Sequence, residues 1–250
     1  MTDTRASSFL DGRLTIEQPV TGYRAGADPV FLAAAVGASA GEQVLELGCG
    51  VGTAFLCLGA RVPGLDLTGV ELQPALAELA ERNLARNGIK GRVIAADLAA
   101  LPLDLRARRF DHVLMNPPFF RRDEGSSAPD DSREQGRGET IDLMVWLDVA
   151  LRRIKPGGTL TVVNRIERLP ECLAGIAKRA GDVTVLPLAP RRDRAAKLFL
   201  LGARKGAKGP FVLKAPLVLH RGARHVADGE SYTDAAQNIL RKAAALPLLS

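Results

Sequence analysis

The stretch Gln43-Val-Leu-Glu-Leu-Gly-Cys-Gly-Val-Gly52 decides the fold of this chain. Its first five residues predict a short, mostly apolar strand, and Gly48, Gly50 and Gly52 predict a tight turn in which a ligand can approach bare backbone amides. A helical pattern follows to about Arg61. Ligands of open α/β sheets bind where strands end, and the start of such a helix favours a negative group. The glycine spacing differs from the GxGxxG of dinucleotide binders and lacks the Lys-Ser/Thr of a P-loop.

Strand and helix patterns alternate beyond this turn. Further strands are predicted over residues 65–71, 91–96, 110–115, 159–163, 183–188 and 197–203. Further helices are predicted from Pro74 to the cap signal Asn87-Gly88, over 141–154 before the break Lys155-Pro156-Gly157-Gly158, and over 169–179. The alternation predicts an α/β fold with a doubly wound, mostly parallel seven-stranded sheet of the Rossmann-like type and helices on both faces.

The flanks extend the same domain. Residues 211–219 predict a β-like segment, residues 232–244 a last short helix, and the polar residues 120–138 a loop. We expect one domain over residues 1–250, with an N-terminal extension (1–40), a ligand-binding core (41–204) and a C-terminal strand and helix (205–250).

Composition excludes several classes of protein. The chain has 250 residues, 46% of them hydrophobic, which is enough for a full core, and no apolar run reaches the ~18 residues of a membrane span. Residues 1–11 show no signal-peptide pattern. Cys49, Cys57 and Cys172 make no metal-ligand spacing with the histidines, so we expect buried thiols, no metal site and a cytoplasmic protein.

The net charge of +6 is concentrated in predicted loops. The basic loop residues are Arg121, Arg122, Arg133, Arg137, Arg191, Arg192, Arg194, Lys197, Arg204, Lys205, Lys208, Arg221 and Arg224. Basic loops on an α/β scaffold are typical of nucleic-acid binding, although most such charges in proteins are simply solvated.

Besides the glycine turn, three polar sequence features stand at the ends of predicted strands. Glu71 ends the second predicted strand, where an acid can accept hydrogen bonds from both hydroxyls of a ribose, or cap a helix. Asp97 ends the third, where it can accept a bond from an adenine amino group, or cap a loop. Asn116-Pro117-Pro118-Phe119 ends the fourth. The glycine turn and these three polar features, in this order, are much harder to obtain by chance than any one of them.

The tetrapeptide suits methylation of a planar, conjugated amino group. Such a nitrogen is a poor nucleophile because its lone pair is delocalised. The Asn116 amide oxygen and the Pro117 carbonyl can both accept its N–H bonds, which localises the lone pair toward an incoming methyl group. The prolines stiffen the loop, and Phe119 can stack on a flat substrate. The alternative is an ordinary proline turn with Phe119 covering the core.

These residues resemble the class I S-adenosylmethionine methyltransferases over about residues 43–204. The resemblance implies S-adenosylmethionine as cofactor. It implies that the methionine part is held by Glu46 and by the loop from Gly48 through Cys49 and Gly50 to Gly52. It assigns the ribose to Glu71 with Leu72 beside it, and the adenine to Asp97 with Leu98. Asn116 would lie between cofactor and acceptor.

The two ends of the chain resemble the bacterial tRNA(Val) adenine N6-methyltransferases. The N-terminal match lies in Gly12-Arg13-Leu14, Gln18-Pro19 and Gly22–Ala33, and the C-terminal match in Pro216–His220, Tyr232-Thr233 and Ile239–Arg241. The resemblance implies tRNA as substrate, with phosphate contacts from Arg121, Arg122, Arg133 and Arg137. It also implies that Tyr23, Arg24 and Asp28 close the cofactor pocket, with Arg24 near the cofactor carboxylate. That family often has tyrosine where this chain has Phe119, and both rings can stack on a base, but Phe119 has no hydroxyl group.

Two alternatives stay open at this point. A protein glutamine N5-methyltransferase would use Asn116 in the same way on a side-chain amide, although such enzymes usually carry a separate helical N-terminal domain. A non-catalytic cofactor-binding partner subunit would keep the glycine loop without transferring a methyl group.

Overall fold

The computed structural model describes residues 3–21, 24–119, 141–222 and 231–249. The strands in that part of the chain are β1 (Thr4–Phe9), β2 (Leu14–Pro19), β3 (Gln43–Leu47), β4 (Asp66–Glu71), β5 (Gly91–Ala95), β6 (Phe110–Met115), β7 (Ile154–Arg165), β8 (Ala180–Ala189), β9 (Leu198–Lys205), β10 (Val212–Leu213) and β11 (Leu217–Val218). The helices are α1 (Asp28–Ala35), α2 (Thr53–Arg61), α3 (Pro74–Arg86), α4 (Leu103–Ala107), α5 (Leu143–Arg153), α6 (Leu169–Ile176) and α7 (Asp234–Lys242).

The central sheet has the strand order β10-β8-β9-β7-β6-β3-β4-β5, and β11 also pairs with β8. Only β9 runs antiparallel to its neighbours among these strands. The seven long strands β3 to β9 confirm the predicted α/β fold with a mostly parallel sheet. Consequently the carboxyl ends of β5, β4, β3, β6, β7 and β8 meet at one edge, which we call the carboxyl edge.

Two predicted elements differ from the structure. β7 begins at Ile154, directly after α5, so the predicted break Lys155–Gly158 lies inside a strand. The register between β6 and β7 shifts there, because Phe110 faces Ile154 and His112 faces Thr159. A bulge absorbs the extra residues that the sequence pattern reads as a turn. The single β-like segment predicted over 211–219 is two short strands, because Pro216 between them has no N–H to donate.

The N-terminal extension forms a β-hairpin that the sequence did not predict. In the described part of the chain β1 pairs with β2 alone, and the outer edge of β2 is hydrogen-bonded by Asn83 of α3 and by Asn87, the residue that follows α3. Asn83 accepts the Glu17 amide at 2.8 Å and donates to the Glu17 carbonyl at 3.0 Å. Asn87 does the same for Thr15, at 2.9 Å each. Side-chain amides spaced four residues apart on a helix thus replace a neighbouring strand.

Two apolar clusters cover the faces of the sheet. Helices α1, α2, α3 and α7 and the hairpin share one cluster, to which Val44 and Leu114 of the sheet contribute. Helices α4, α5 and α6 share the other, with Leu45 and Met115. Alternate residues of one strand therefore enter opposite layers. In the described ranges no helix is both long and apolar enough to cross a membrane.

Candidate active site

The glycine loop (Gly48 to Gly52), Glu71, Asp97 and Asn116 all lie at the carboxyl edge. Leu47 is level with Val70 on β4 and with Met115 on β6, and Glu71 is level with Ala95 on β5. The glycine loop, Glu71 and Asn116 therefore leave adjacent strands at about the same height. Neighbouring strands lie ~4.8 Å apart, so the edge from β5 to β6 spans ~14 Å.

The glycine loop has a backbone that side chains rarely tolerate. Gly48, Gly50 and Gly52 have φ values of +67°, +55° and +88°. A Cβ on Gly48 would lie 2.4 Å from the Trp146 ring, and one on Gly52 would lie 2.7 Å from Phe55. A Cβ on Gly50 would meet nothing within 4 Å among the described residues, so space remains for a ligand above this glycine.

Glu71 is buried and holds the loop in place. One carboxylate oxygen accepts the Gly50 amide at 2.9 Å, and the other accepts the Gln73 amide at 3.0 Å before α3. A carboxylate offers about four acceptor positions, so it can still receive two hydroxyl groups. Its contacts with Gly50 and Gln73 and a ribose contact are therefore compatible on the same side chain, although Glu71 does not cap α3.

Glu46 is enclosed beneath the loop. Its carboxylate accepts the Phe55 amide, in the first turn of α2, at 2.9 Å. Burial raises the pKa of Glu46 to about 8, and the nearby charge of Glu71 adds to the rise, while the Phe55 amide opposes it. Glu46 lies on the face of β3 opposite Leu45 and Leu47, so it faces the start of α2, where the helix dipole favours negative charge.

The β5 end of the edge carries the residues predicted to meet an adenine. Asp97 is exposed, and it accepts the Ala99 amide at 2.8 Å as the cap of a short 3-10 turn, Leu98–Ala100. Its second carboxylate oxygen has no hydrogen-bond partner among the described residues. Leu98 is buried, and the Leu72 side chain is 50% exposed, which provides an apolar surface beside the edge.

Asn116 leaves β6 with its amide oxygen buried and without a hydrogen-bond partner in the described part of the chain. Buried polar atoms in native proteins nearly always have partners, so an orphaned acceptor at a sheet edge points to a donor that arrives with a ligand. Pro117 is buried, whereas Pro118 and Phe119 are half-buried. The tetrapeptide is thus accessible on one side and fixed on the other.

Other predicted residues make contacts within the protein or lie outside the described residues. The Cys49 side chain is buried against Gly69, so the thiol faces the core, and burial raises its pKa. Arg24 is exposed and donates to Ser7 of the hairpin at 3.3 Å, and Asp28 begins α1. The predicted contacts of Tyr23, Arg121, Arg122, Arg133 and Arg137, and the predicted loop over 120–138, lie outside the described residues.

Two residues near the glycine loop were missed by the sequence analysis. Trp146 packs its ring on Gly48 from α5, and nothing in the sequence links positions ninety-eight residues apart. Asn83 is fully buried and donates to the Val51 carbonyl of the loop at 3.0 Å, besides its bonds to the hairpin. Its signal was available, because a polar residue interrupts the apolar face formed by Leu76, Leu79 and Ala80.

Comparison with protein families places the chain. The model of the methyltransferase small domain family matches residues 29–185, which is more than half of the chain. The matched range includes the glycine loop, Glu71, Asp97 and the Asn116 tetrapeptide.

Curated relatives carry two kinds of name. A tRNA1(Val) (adenine(37)-N6)-methyltransferase from Porphyromonas gingivalis is 32% identical over 172 residues, covering 65% of this chain and 67% of the relative. One from Haemophilus influenzae is 27% identical over 160 residues, covering 63% and 68%. A release factor glutamine methyltransferase from Bordetella pertussis is 31% identical over 150 residues, covering 57% and 54%.

Solved structures share the fold. A predicted O-methyltransferase from Agrobacterium tumefaciens superposes with a TM-score of 0.72 at 24% identity, covering 88% of this chain and 98% of that one. A geranyl diphosphate C-methyltransferase from Streptomyces coelicolor, solved with S-adenosyl-L-homocysteine, gives a TM-score of 0.54 at 17% identity, covering 72% and 75%. With its glycine loop and acidic strand ends at one sheet edge, the chain belongs to the methyltransferase small domain family and is an S-adenosylmethionine-dependent methyltransferase.

Proposed function

We propose that this enzyme transfers a methyl group to the exocyclic N6 of an adenosine in tRNA. The observation that carries the proposal is the buried, unpartnered amide oxygen of Asn116 at the carboxyl edge, one strand away from the glycine loop. An amino group attached to a flat ring is a donor that fits such an acceptor.

The cofactor would lie along the edge from β5 to β6. The open space above Gly50 admits its methionine part, Glu71 has acceptor capacity left for the ribose, and Asp97 with Leu72 and Leu98 suits the adenine. S-adenosylmethionine supplies an electrophilic methyl group on a sulfonium. Glu46 lies below the loop and accepts the Phe55 amide, which fixes the start of α2 beneath the bound ligand.

The protein's contribution to transfer is orientation of the acceptor. Asn116 and the Pro117 carbonyl would accept the two N–H bonds of the amino group, which turns its lone pair toward the methyl group. Phe119 would stack on the ring plane. Positioning of nucleophile and methyl supplies much of the rate, so a strong general base is not required.

The relatives' names and the charge of the chain support RNA as the substrate. Two similar proteins are named for methylation of adenine in tRNA1(Val), and this chain carries a net charge of +6. A base inside a folded RNA must leave its stack to reach Asn116, which the exposed side of the tetrapeptide permits. A tRNA substrate also implies that the enzyme works in the cytoplasm.

A second candidate is methylation of a glutamine side chain in a release factor. The relative from Bordetella pertussis favours it, and a side-chain amide also presents an NH₂ group that Asn116 could hold. The two candidates share the cofactor site and differ only in the acceptor.

The test is methyl transfer from labelled S-adenosylmethionine to total RNA and total protein from a host that lacks the gene, followed by nucleoside analysis. We expect N6-methyladenosine in the tRNA fraction. Label confined to protein would overturn the adenine assignment and move the reaction to glutamine.

A further inference from the structure

The turn between β8 and β9, residues 190–197, is an exposed basic surface beside the active site. β8 runs parallel to β7 and β6, so this turn leaves the sheet at the carboxyl edge, as Asn116 does. β9 and β8 lie two and three strands from β6, which places the turn ~10–14 Å to the side of Asn116. Met115, Val162, Leu201 and Val185 lie at one level of the sheet. β8 and β9 continue past this level, so the turn lies ~10 Å beyond it along the strand direction.

The turn is held in one conformation by its neighbours. The Lys197 amide donates to the Leu188 carbonyl at 3.3 Å, and the Lys197 carbonyl accepts the Ile166 amide at 3.0 Å. The Arg191 guanidinium donates to the Arg221 and Gly222 carbonyls, which fastens the turn to the segment after β11. Asp193 has a φ of +58°, a left-handed conformation that helps to reverse the chain.

Three cations project from this fixed turn. Arg192, Arg194 and Lys197 are exposed, and none forms an ion pair with an acid in the described part of the chain. Other arginines of this protein are paired, for example Arg108 with Asp66 at 3.0 Å and Arg179 with Asp148 at 2.7 Å. Three unpaired cations within six residues, on the edge that carries the site, leave a local excess of positive charge.

We propose that Arg192, Arg194 and Lys197 hold phosphates of the RNA strand that flanks the target base. This inference rests on the proposed RNA substrate and adds the surface that binds it. The sideways offset of ~10–14 Å and the rise of ~10 Å give a separation of ~14–17 Å, or about four to five base steps of 3.4 Å, so the contacts fall on nucleotides near the one in the site. A protein partner fits less well, because the turn offers only Pro190, Ala195 and Ala196 as apolar side chains and no aromatic anchor.

The test compares two triple variants that remove the same charge. The first carries Arg192→Gln, Arg194→Gln and Lys197→Gln. The control carries Lys90→Gln, Arg106→Gln and Lys178→Gln, three exposed cations that also lack ion pairs among the described residues and that lie at the opposite edge of the sheet. The dissociation constant for a tRNA(Val) transcript is measured for both variants and the wild type between 50 and 200 mM salt.

The turn variant should bind RNA roughly tenfold more weakly at low salt, and the slope of log Kd against log salt should decrease by about 2, as for three lost phosphate contacts on a single strand. The turnover number at saturating RNA should stay within about twofold, because phosphate contacts position the substrate and do not touch the reacting nitrogen. The control should keep the wild-type slope.

Two results would overturn the inference, and they are distinct. If the wild type methylates tRNA while the turn variant keeps the wild-type Kd and slope, or changes no more than the control, the surface is wrong and the proposed function stands. If the wild type methylates release factor and neither binds nor methylates RNA, the proposed function fails and this surface fails with it.

Discussion

In the proposed mechanism the amide oxygen of Asn116 is a hydrogen-bond acceptor for the amino group that is methylated. That atom is buried without a partner among the described residues, a state that costs about 1–3 kcal/mol until a donor arrives. In the proposed mechanism the acceptor amino group is that donor, so we expect the site to favour substrates that bring two N–H groups over those that bring none.

Substitution Asn116→Ala should therefore remove transfer and keep cofactor binding. We expect the turnover number to fall at least ~100-fold, as for loss of a hydrogen-bonding group at a reacting centre, while the cofactor dissociation constant stays within about twofold. Single-turnover transfer and calorimetry with S-adenosylhomocysteine measure the two quantities. Parallel loss of cofactor affinity would place Asn116 on the cofactor instead of the acceptor.

Glu46 should make the stability of the ligand-free protein depend on pH. Burial raises its pKa to about 8 in the folded chain, whereas the ordinary value is 4.5. Below pH 4.5 Glu46 is protonated in both the folded and the unfolded chain, and its ionisation does not reduce the free energy of unfolding. Between pH 4.5 and about 8 only the folded state holds the proton, so stability declines with pH, by up to ~1.4 kcal/mol per unit, and levels off above that range.

The variant Glu46→Gln isolates this effect, because an amide keeps the shape of the side chain without titrating. The free energy of unfolding in urea, measured from pH 5 to pH 9, should converge with or exceed that of the wild type as pH rises. Parallel pH profiles for the two proteins would show that Glu46 does not titrate in this range.

At the scale of elements, α3 contacts both the N-terminal hairpin and the glycine loop that is proposed to bind the cofactor. Asn83 binds both Glu17 of β2 and Val51 of the loop, whereas Asn87 binds Thr15 and the backbone of its own helix. The two asparagines therefore form a matched pair, one connected to the cofactor loop and one not.

Asn83→Ala should lower the free energy of unfolding by about 1–3 kcal/mol and weaken cofactor binding, because it leaves the half-buried Glu17 amide without its partner and frees the Val51 carbonyl. Asn87→Ala should leave the cofactor dissociation constant within about twofold, since Asn87 does not contact the loop and water can replace its exposed hydrogen bonds with Thr15. Equal effects of both variants on cofactor binding would remove Asn83 from a positioning role.

Local patterns predicted the elements whose signals are local. The strand Gln43–Leu47 and the strand Phe110–Met115 have the bounds that the sequence indicated. Each is followed by a residue that favours a turn, Gly48 in one case and Asn116 in the other. The hairpin was missed because β2 alternates only weakly and its free edge depends on side chains of α3. β7 was predicted too short because a bulge and a turn use the same residues, Lys155 to Gly158.

The site was predictable to a similar extent. Glu71, Asp97 and Asn116 follow strand ends, and the parallel topology alone brings such positions to one edge. The contact between Trp146 and Gly48 depends on how α5 packs across the sheet, and the side-chain direction of Cys49 depends on Gly69. Neither is encoded in a pattern along the chain.

At the scale of the whole molecule, both ends of the chain enter one core. Leu14 and Ile16 of the hairpin, Ala236 and Ile239 of α7, and Leu248 belong to the same apolar cluster as α1 and α2. The described residues of both extensions therefore contribute to the interior, as expected for one domain over residues 1–250.

We expect the protein to unfold in a single cooperative transition, as one domain over residues 1–250 would. Differential scanning calorimetry, with far-UV circular dichroism on the same samples, measures this directly. Two resolved transitions, or a calorimetric enthalpy well above the van't Hoff value, would show that an extension folds independently.

The packing of Trp146 on Gly48 gives the enzyme an optical reporter of its own. Trp146 is the only tryptophan of the chain, so all indole emission originates beside the cofactor loop. Binding of S-adenosylhomocysteine should therefore shift or quench the emission without any attached dye, and the titration gives cofactor affinity for every variant that keeps this residue. An emission spectrum that stays constant while calorimetry records binding would mean that the loop and the ring do not respond to the ligand.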